Sequence, residues 1–205
     1  LSSKPNPGTI TQTATKICYG GTVIFSGLQE GETNSKYTWE ISYNDGECWE
    51  IPADTDLTNI DGDNKNTTLT LTNLTQSVKV RRKYQRGNNE LNYAYTQPLS
   101  VEVFDNAISF ENDFSVYYVR LGDNLTLPTA ITKYPSTVTL TGPNNNTNAV
   151  TSYTITPTAI GEFVYTYTAV SQIVNGPTSA CTRTRIITVV VYDGTDCDFG
   201  KKYTY

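Results

Sequence analysis

The clearest pattern along the chain is the alternation of apolar and polar residues in short runs. Tyr37, Trp39, Ile41 and Tyr43 alternate with polar residues, so one face of this strand is aromatic and the other polar. Asn44-Asp45-Gly46 follows and is a strong hairpin signal. Other runs that predict strands in the first half are residues 8–14, 22–26, 48–51, 67–71 and 78–84. Their spacing of roughly ten residues is typical of an immunoglobulin-like sandwich.

A second pattern is a repeat. Residues 99–106 (LSVEVFDN) return in similar form at 187–194 (ITVVVYDG), each a run of strand-forming residues that ends in an aromatic residue, aspartate and a turn residue. The separation suits a small β-sandwich of ~100 residues. Alternating runs at 125–127, 137–141, 150–156 and 159–167 lie between the two copies. We therefore predict an all-β chain of two tandem immunoglobulin-like β-sandwich domains, residues 1–104 and 105–194, with a C-terminal tail at 195–205.

Composition narrows the chemistry. The chain has no histidine, which excludes histidine-based acid–base catalysis, Ser-His-Asp triads and histidine-containing zinc sites. A net charge of −5 gives no basic excess for binding nucleic acid. The longest apolar run, residues 186–192, is too short to cross a bilayer, which needs ~20 residues. Because the sequence begins with Leu1, we expect a processed or trimmed N-terminus.

The sequence resembles a known group of domains in its first half. The resemblance covers residues 8–104 and depends on the segments ICYGG (17–21), YTWEIS (37–42), DG (45–46), WEI (49–51), LT (74–75) and VRR (80–82). These resemble the immunoglobulin-like repeats of secreted and cell-surface proteins of Bacteroidetes-type bacteria. Such repeats often carry a second cysteine on a late strand, which this half lacks. The resemblance implies a non-catalytic module of adhesins, stalks or multidomain surface enzymes.

The four cysteines suggest an oxidising compartment. Cys18 precedes one predicted strand and Cys48 follows a hairpin, so adjacent antiparallel strands would bring them to the same end of a sandwich. We predict a Cys18–Cys48 disulfide; the alternative is two free thiols. The pairing of Cys181 with Cys197 stays open. A straight strand from residue 181 to 192 spans ~36 Å, and the five residues from 192 to 197 reach back only ~17 Å, so this disulfide needs a bent strand or a reorganised tail. A four-cysteine zinc site is disfavoured because no C-x-x-C spacing exists.

Two groups of residues are candidate ligand contacts. The first is aromatic: Trp49, Tyr93, Tyr95, Tyr117 and Tyr118 could present rings to a sugar, whereas Trp39 fits the core. The second is the basic stretch Lys79, Arg81, Arg82, Lys83 and Arg86. It could bind an acidic glycan or an acidic protein surface. On a strand, Lys79, Arg81 and Lys83 share one face, opposite Val78 and Val80, and a solvated outer face that discourages edge pairing is the simpler interpretation.

A calcium site and an active site are both disfavoured. Asp54, Asp56, Asp61, Asp63 and Asn64 do not match the spacing of an EF-hand, so a solvated loop is favoured. A retaining glycosidase needs two carboxylates ~5.5 Å apart, and no candidate pair is evident. We expect no cofactor, no metal and no enzymatic activity.

These observations lead to one functional expectation and one alternative. The leading expectation is a secreted or cell-surface module with a structural and adhesive role, a spacer that contacts a protein or a surface. The alternative is a carbohydrate-binding accessory module of a surface glycan-utilisation system. The unidentified partner is a protein or glycan at the cell surface, and the protein is expected to be a monomer. We expect it outside the cytoplasm, secreted or on the outer surface, with the periplasm as an alternative.

Overall fold

The structure is a computed structural model that describes residues 5–27, 36–52, 67–87, 89–143, 147–149 (backbone only) and 153–194. The chain divides into two compact units. The first unit is Leu1–Phe104 with Gly176–Thr178, and the second is Asp105–Asn175 with Ser179–Tyr205.

Within the described residues of the first unit, eight strands form two sheets. The strands are β1 (Ile10–Gln12), β2 (Lys16–Cys18), β3 (Gly21–Gly27), β4 (Lys36–Ser42), β5 (Thr68–Leu74), β6 (Val78–Gln85), β7 (Tyr93–Tyr95) and β8 (Leu99–Phe104). One sheet has the order β1-β3-β5, and the other has the order β2-β8-β6-β4 with β7 also paired to β6. All pairs are antiparallel except β2 with β8, which is parallel.

Alternate residues of both sheets fill the core of the first unit. β3 contributes Val23 and Phe25, and β4 contributes Trp39, which is 1% exposed. The rings of Phe25 and Trp39 meet at 6.4 Å between centroids. A tryptophan buried at this position is the feature that the alternation around residue 39 predicts for the third strand of an immunoglobulin-like sandwich.

The core also contains a buried arginine. Arg82 lies on the inward face of β6 and is fully buried, with its guanidinium 4.4 Å from the ring centroid of Tyr37 and 5.4 Å from that of Trp39. Burial lowers the pKa of this guanidinium. Gly27 leaves the space that the guanidinium fills, because a Cβ at that position would overlap it. Arg82 therefore lies on the side of β6 opposite Lys79, Arg81 and Lys83, where solvent does not reach it.

Nine strands lie within the described residues of the second unit. They are β9 (Ile108–Ser109), β10 (Val116–Arg120), β11 (Leu125–Leu127), β12 (Ile131–Thr132), β13 (Thr137–Thr141), β14 (Thr147–Ala149), β15 (Tyr153–Ile155), β16 (Gly161–Ser171) and β17 (Cys181–Tyr192). The main sheet has the order β10-β17-β16-β13-β14. Two short ladders, β11 with β15 and β12 with β9, complete the strand pairing among the described residues of this unit.

The second unit has a core of its own. Tyr167 on β16 is fully buried, and its hydroxyl donates a hydrogen bond to the carbonyl oxygen of Pro128 at 2.7 Å. Its ring meets Phe110 edge-on at 5.0 Å. Burial strongly raises the pKa of the Tyr167 hydroxyl, so this group remains a donor at any ordinary pH.

The strand order defines the fold class. In the first unit, β1-β3-β5 correspond to strands A, B and E of an immunoglobulin-like sandwich, and β4, β6 and β7–β8 to strands C, F and G. The second unit repeats the parallel pairing of an early strand with the last one, here β10 with β17. The predicted all-β fold of two immunoglobulin-like sandwiches is confirmed.

The predicted Cys18–Cys48 disulfide is wrong. Cys18 and Cys181 are each disulfide-bonded, whereas Cys48 is a free, exposed thiol. Cys18 ends β2 at one edge of its sheet, and Cys48 follows β4 at the other edge, with β8 and β6 between them. Three strand spacings amount to about 14 Å, twice the Cα separation that a disulfide spans. Cys197 lies outside the described residues.

Three further differences from the sequence predictions are confined to short segments. Residues 48–51 form only a single bridge, Ile41 with Glu50, rather than a strand. The segment between the predicted strands 137–141 and 150–156 contains a further strand, β14, which pairs with β13. Asn106, the turn residue that ends the first copy of the repeat, is fully buried: its side-chain nitrogen donates to Ser136 Oγ at 2.9 Å, and its oxygen accepts from the Tyr134 amide at 3.2 Å.

Thiol labelling checks the cysteine assignment. Because Cys48 is exposed and free, we expect a maleimide to label it in the native protein without reductant. Cys18 and Cys181 should react only after reduction. Peptide mapping by mass spectrometry measures both. A native protein in which Cys48 resists labelling until reduction would contradict the assignment.

The packing of Arg82 against Gly27 predicts a specific cost. Gly27→Ala should lower the free energy of unfolding by about 1–3 kcal/mol, because the new methyl group overpacks the guanidinium site. The measurement is urea unfolding followed by fluorescence and circular dichroism. In an Arg82→Lys background Gly27→Ala should lower the free energy of unfolding by less, because lysine lacks the guanidinium group that the new methyl group would overlap. An equal cost in both backgrounds would show that the two residues do not interact.

Candidate functional site

One outward-facing surface of the first unit gathers five of the residues that the sequence analysis named as candidate ligand contacts, namely Trp49, Tyr93, Tyr95, Arg81 and Lys83. We call it the aromatic face; it consists of Glu40 on β4, Arg81 and Lys83 on β6, Tyr93 and Tyr95 on β7, and Trp49. The strand pairing brings them together: Glu40 lies opposite Arg81, and Lys83 lies opposite Tyr95. Their contact with a ligand stays a prediction.

A guanidinium group between two rings forms the centre of the aromatic face. The Arg81 Cζ atom lies 4.1 Å from the centroid of Trp49 and 3.8 Å from that of Tyr95. Cation–π contacts of this kind contribute about 0.5–1 kcal/mol each at exposed sites and more when water is excluded. The Arg81 side chain is only 21% exposed, so its contacts are largely sheltered from solvent.

Glu40 holds the arrangement from the neighbouring strand. Its Oε2 atom accepts a hydrogen bond from Arg81 Nε at 2.7 Å and lies 2.6 Å from Arg81 Nη2. The same carboxylate accepts a hydrogen bond from the Tyr95 hydroxyl. Burial is the largest cause that raises the pKa of Tyr95, the charge of Glu40 adds to it, and Arg81 opposes it. Glu40 thus positions both Arg81 and Tyr95.

The turn after β4 positions Trp49. Asp45 and Gly46 both have positive φ angles, 62° and 93°, as the predicted hairpin turn requires. Asn44 braces the turn, because its Oδ1 atom accepts from the Cys48 amide at 2.9 Å and from Ser42 Oγ at 2.8 Å. The backbone bridge between Ile41 and Glu50 then returns the chain alongside β4. Trp49 reaches Arg81 because of this turn, not because of a strand.

Tyr93 and Lys83 extend the aromatic face along β6 and β7. The rings of Tyr93 and Tyr95 meet edge-on at 5.4 Å, and Lys83 Nζ lies 4.5 Å from the centroid of Tyr93. Tyr93 is 41% exposed. An open depression of about 490 Å³ lies beside these rings, lined also by Pro5 and Pro7.

The charges of the aromatic face are unevenly compensated. Arg81 is paired with Glu40, and Lys79 on the same strand is paired with Asp45 at 2.7 Å. No ion pair between described residues involves Lys83. The end of the face near Tyr93 is therefore positive, whereas its centre is neutral.

Sequence reasoning missed Glu40 as part of this site. Alternation places Glu40 and Arg81 on the polar faces of their strands, but only the register of β4 with β6 makes them partners. The other two aromatic candidates lie in the second unit. Tyr117 is half-buried, and burial raises its pKa, whereas Tyr118 is exposed. The acidic loop of Asp54, Asp56, Asp61, Asp63 and Asn64 lies outside the described residues, as does the tail.

The described part of the chain contains neither a cluster of metal-binding side chains nor a membrane-spanning helix. No group of three histidine, cysteine or acidic side chains there is arranged to hold a metal ion. None of its residues forms a helix that would reach across a bilayer.

Comparisons with known proteins give distant structural likenesses. No protein-family model and no curated protein matches the chain. It is similar to the amphioxus IgVJ-C2 molecule (17% identity, TM-score 0.31, 83% of this chain and 99% of that one). It is also similar to murine CEACAM1b (13%, 0.36, 90% and 99%) and to the N-terminal four Ig domains of Dscam1 isoform 8.4 (13%, 0.33, 94% and 46%). At these TM-scores the likenesses carry no argument, so the fold class rests on the strand order and the two cores.

Removing the central cation should free Trp49. With Arg81→Ala we expect acrylamide to quench a larger share of the tryptophan fluorescence, because Trp49 loses the group that packs against it. The second tryptophan, Trp39, is buried in the core and reports whether the unit stays folded. Lys79→Ala removes another cation from β6 and is the matched control. Equal quenching in both variants would contradict the central role of Arg81.

Proposed function

We propose that this chain is a non-catalytic surface module with a structural and adhesive role, and that the aromatic face is where it contacts a partner protein. The observation that carries the proposal is the Arg81 guanidinium held between Trp49 and Tyr95 and fixed by Glu40. Tryptophan, tyrosine and arginine are the residue types that contribute most binding energy in protein interfaces. Side chains that are already ordered lose little conformational entropy on binding, which favours affinity.

The remainder of the chain fits the structural part of this role. Each unit buries its own hydrophobic core, so each is suited to bear load as a spacer. The domain limits that accompany the proposal are residues 1–104 and 105–194, with the tail at 195–205. Disulfide-bonded cysteines are typical of oxidising compartments. Together with the resemblance to repeats of Bacteroidetes-type surface proteins, this supports a secreted or outer-surface location.

The alternative is a carbohydrate-binding accessory module, and the clustering of three aromatic side chains on one surface favours it. Sugars stack on the flat faces of aromatic rings. Here Trp49 and Tyr95 each have one face against Arg81, and Tyr93 has one against Lys83. Stacking must therefore use the opposite faces or displace a cation. For this reason we rank protein contact above glycan contact.

Two arrays separate these functions. One carries extracellular proteins from which glycans have been removed enzymatically, and the other carries neutral and acidic oligosaccharides. We expect the whole chain to bind proteins of the first array, with at least a tenfold loss for Trp49→Ala and Tyr95→Ala. Phe114→Ala, which removes an exposed aromatic ring of the second unit, is the matched control and should bind normally.

The outcomes divide clearly. Binding to oligosaccharides alone, lost in the same two variants, favours the carbohydrate-binding module over protein adhesion. Binding that survives both substitutions overturns the assignment of the aromatic face. Failure of the folded chain to bind either array overturns the adhesive role.

A further inference from the structure

The outer face of the second unit carries unusually little charge. It is formed by the outward-facing residues of β10, β17, β16 and β13, which alternate with the buried residues of the same strands. At positions 182–192 of β17 every outward residue is threonine, isoleucine, valine or tyrosine. The outward residues of β13 are all threonine. Among these outward positions, the only charged residues are Arg120 and Glu162.

Exposed apolar side chains on this face adjoin one another. Val116 pairs with Thr188, which pairs with Val164 on the far side of β17, so these three residues form one row across the sheet. Tyr118, Val190 and Glu162 form the next row. Val116, Tyr118, Val164 and Ile186 are each between 41% and 57% exposed. Contiguous exposed apolar surface of this kind is typical of an interaction site.

The two charges lie on opposite sides of β17. Arg120 is on β10, and Glu162 is on β16, with β17 between them. No ion pair between described residues involves either one. A two-fold axis parallel to β17 exchanges the β10 side of one copy with the β16 side of the other. Each Arg120 then lies within about 7 Å, along the strand, of the partner subunit's Glu162, a gap that an extended arginine side chain spans.

We propose that this face binds a second copy of the chain in a symmetric dimer, closed by two Arg120–Glu162 ion pairs around the shared apolar rows. Charge complementarity selects this occupant, because one surface supplies both the basic and the acidic partner at positions that the symmetry superimposes. The proposal is independent of the aromatic face, which belongs to the first unit. It replaces the expectation of a monomer, which was made from sequence alone.

The size of the face sets the strength of the dimer. β10 flanks residues 188–192 of β17, whereas β13 lies beside the part of β16 that pairs with residues 182–186, so three strands lie side by side at any point. The face therefore extends about 33 Å along β17 and about 10 Å across, or roughly 330 Å² per copy. The two copies together fall below the ~1,000 Å² at the lower limit of stable specific interfaces, so the dimer should be weak and transient. A dimer this weak forms where many copies are crowded together, as on a surface.

Charge reversal gives a sharp test with the whole 205-residue chain, using sedimentation velocity between about 10 μM and 1 mM. Glu162→Arg alone and Arg120→Glu alone each turn both ion pairs of the dimer into pairs of like charge. Each variant should therefore weaken self-association about tenfold or more. An equimolar mixture of the two variants, and the double variant, should both regain the wild-type constant, because each restores two opposite pairs. Val164→Lys should weaken association in every background.

Control variants and contrary results complete the test. Glu111→Arg reverses an exposed charge of the same unit outside the face and should leave association unchanged. Circular dichroism confirms that each variant is folded. A wild-type chain that stays monomeric at 1 mM overturns the proposal. Single reversals that weaken association but are not rescued in the mixture overturn the two-fold pairing of Arg120 with Glu162.

Discussion

The antiparallel register of β4 against β6 is the constraint on which the first unit depends. It sets Glu40 opposite Arg81 on the outward side and Trp39 opposite Arg82 on the inward side. Because side chains alternate with a period of two, a slip of one residue would exchange these sets. Arg81 would then enter the core and Arg82 would reach solvent. One register therefore fixes both the aromatic face and the composition of the core beneath it.

Two adjacent arginines occupy opposite sides of β6 because of this alternation, and the inner one is removed from water. Arg81 on the outer side keeps its charge beside Glu40 and between two rings. Arg82 on the inner side is surrounded by Tyr37, Trp39 and the space left by Gly27. Taking a cation out of water is unfavourable unless aromatic faces and polar partners replace the lost hydration. The aromatic residues of β4 serve this purpose on the inner side.

The outer surfaces of the two units differ in the chemistry of their contacts. The aromatic face is rich in side chains that are already paired with one another, so its geometry is fixed before any partner arrives. The outer face of the second unit has apolar rows and only two charges, which lie apart on either side of β17. A preorganised polar and aromatic surface suits recognition of a different protein, whereas a surface that complements itself suits association of like copies.

Local sequence determined the strands and the fold class. The alternation at residues 37–43 and 78–84, the Asn44-Asp45-Gly46 turn and the burial of Trp39 all follow from short-range periodicity, which the folded chain retains. The same periodicity placed Arg81 and Lys83 on one side of β6. The same alternation puts Arg82 on the opposite side of β6. It could not show how a charge is accommodated there, because that depends on the rings and the glycine of other strands that surround it.

Tertiary structure alone decided which strands are neighbours. The Cys18–Cys48 pairing failed because β2 pairs with β8, at the edge of the sheet away from β4, and nothing near residue 18 in the sequence specifies that partner. The roles of Glu40 and Asn106 were hidden for the same reason, since their partners are 28 or more residues away. Periodicity reports which side of a strand a residue occupies. The identity of the strand across from it depends on how the whole core packs.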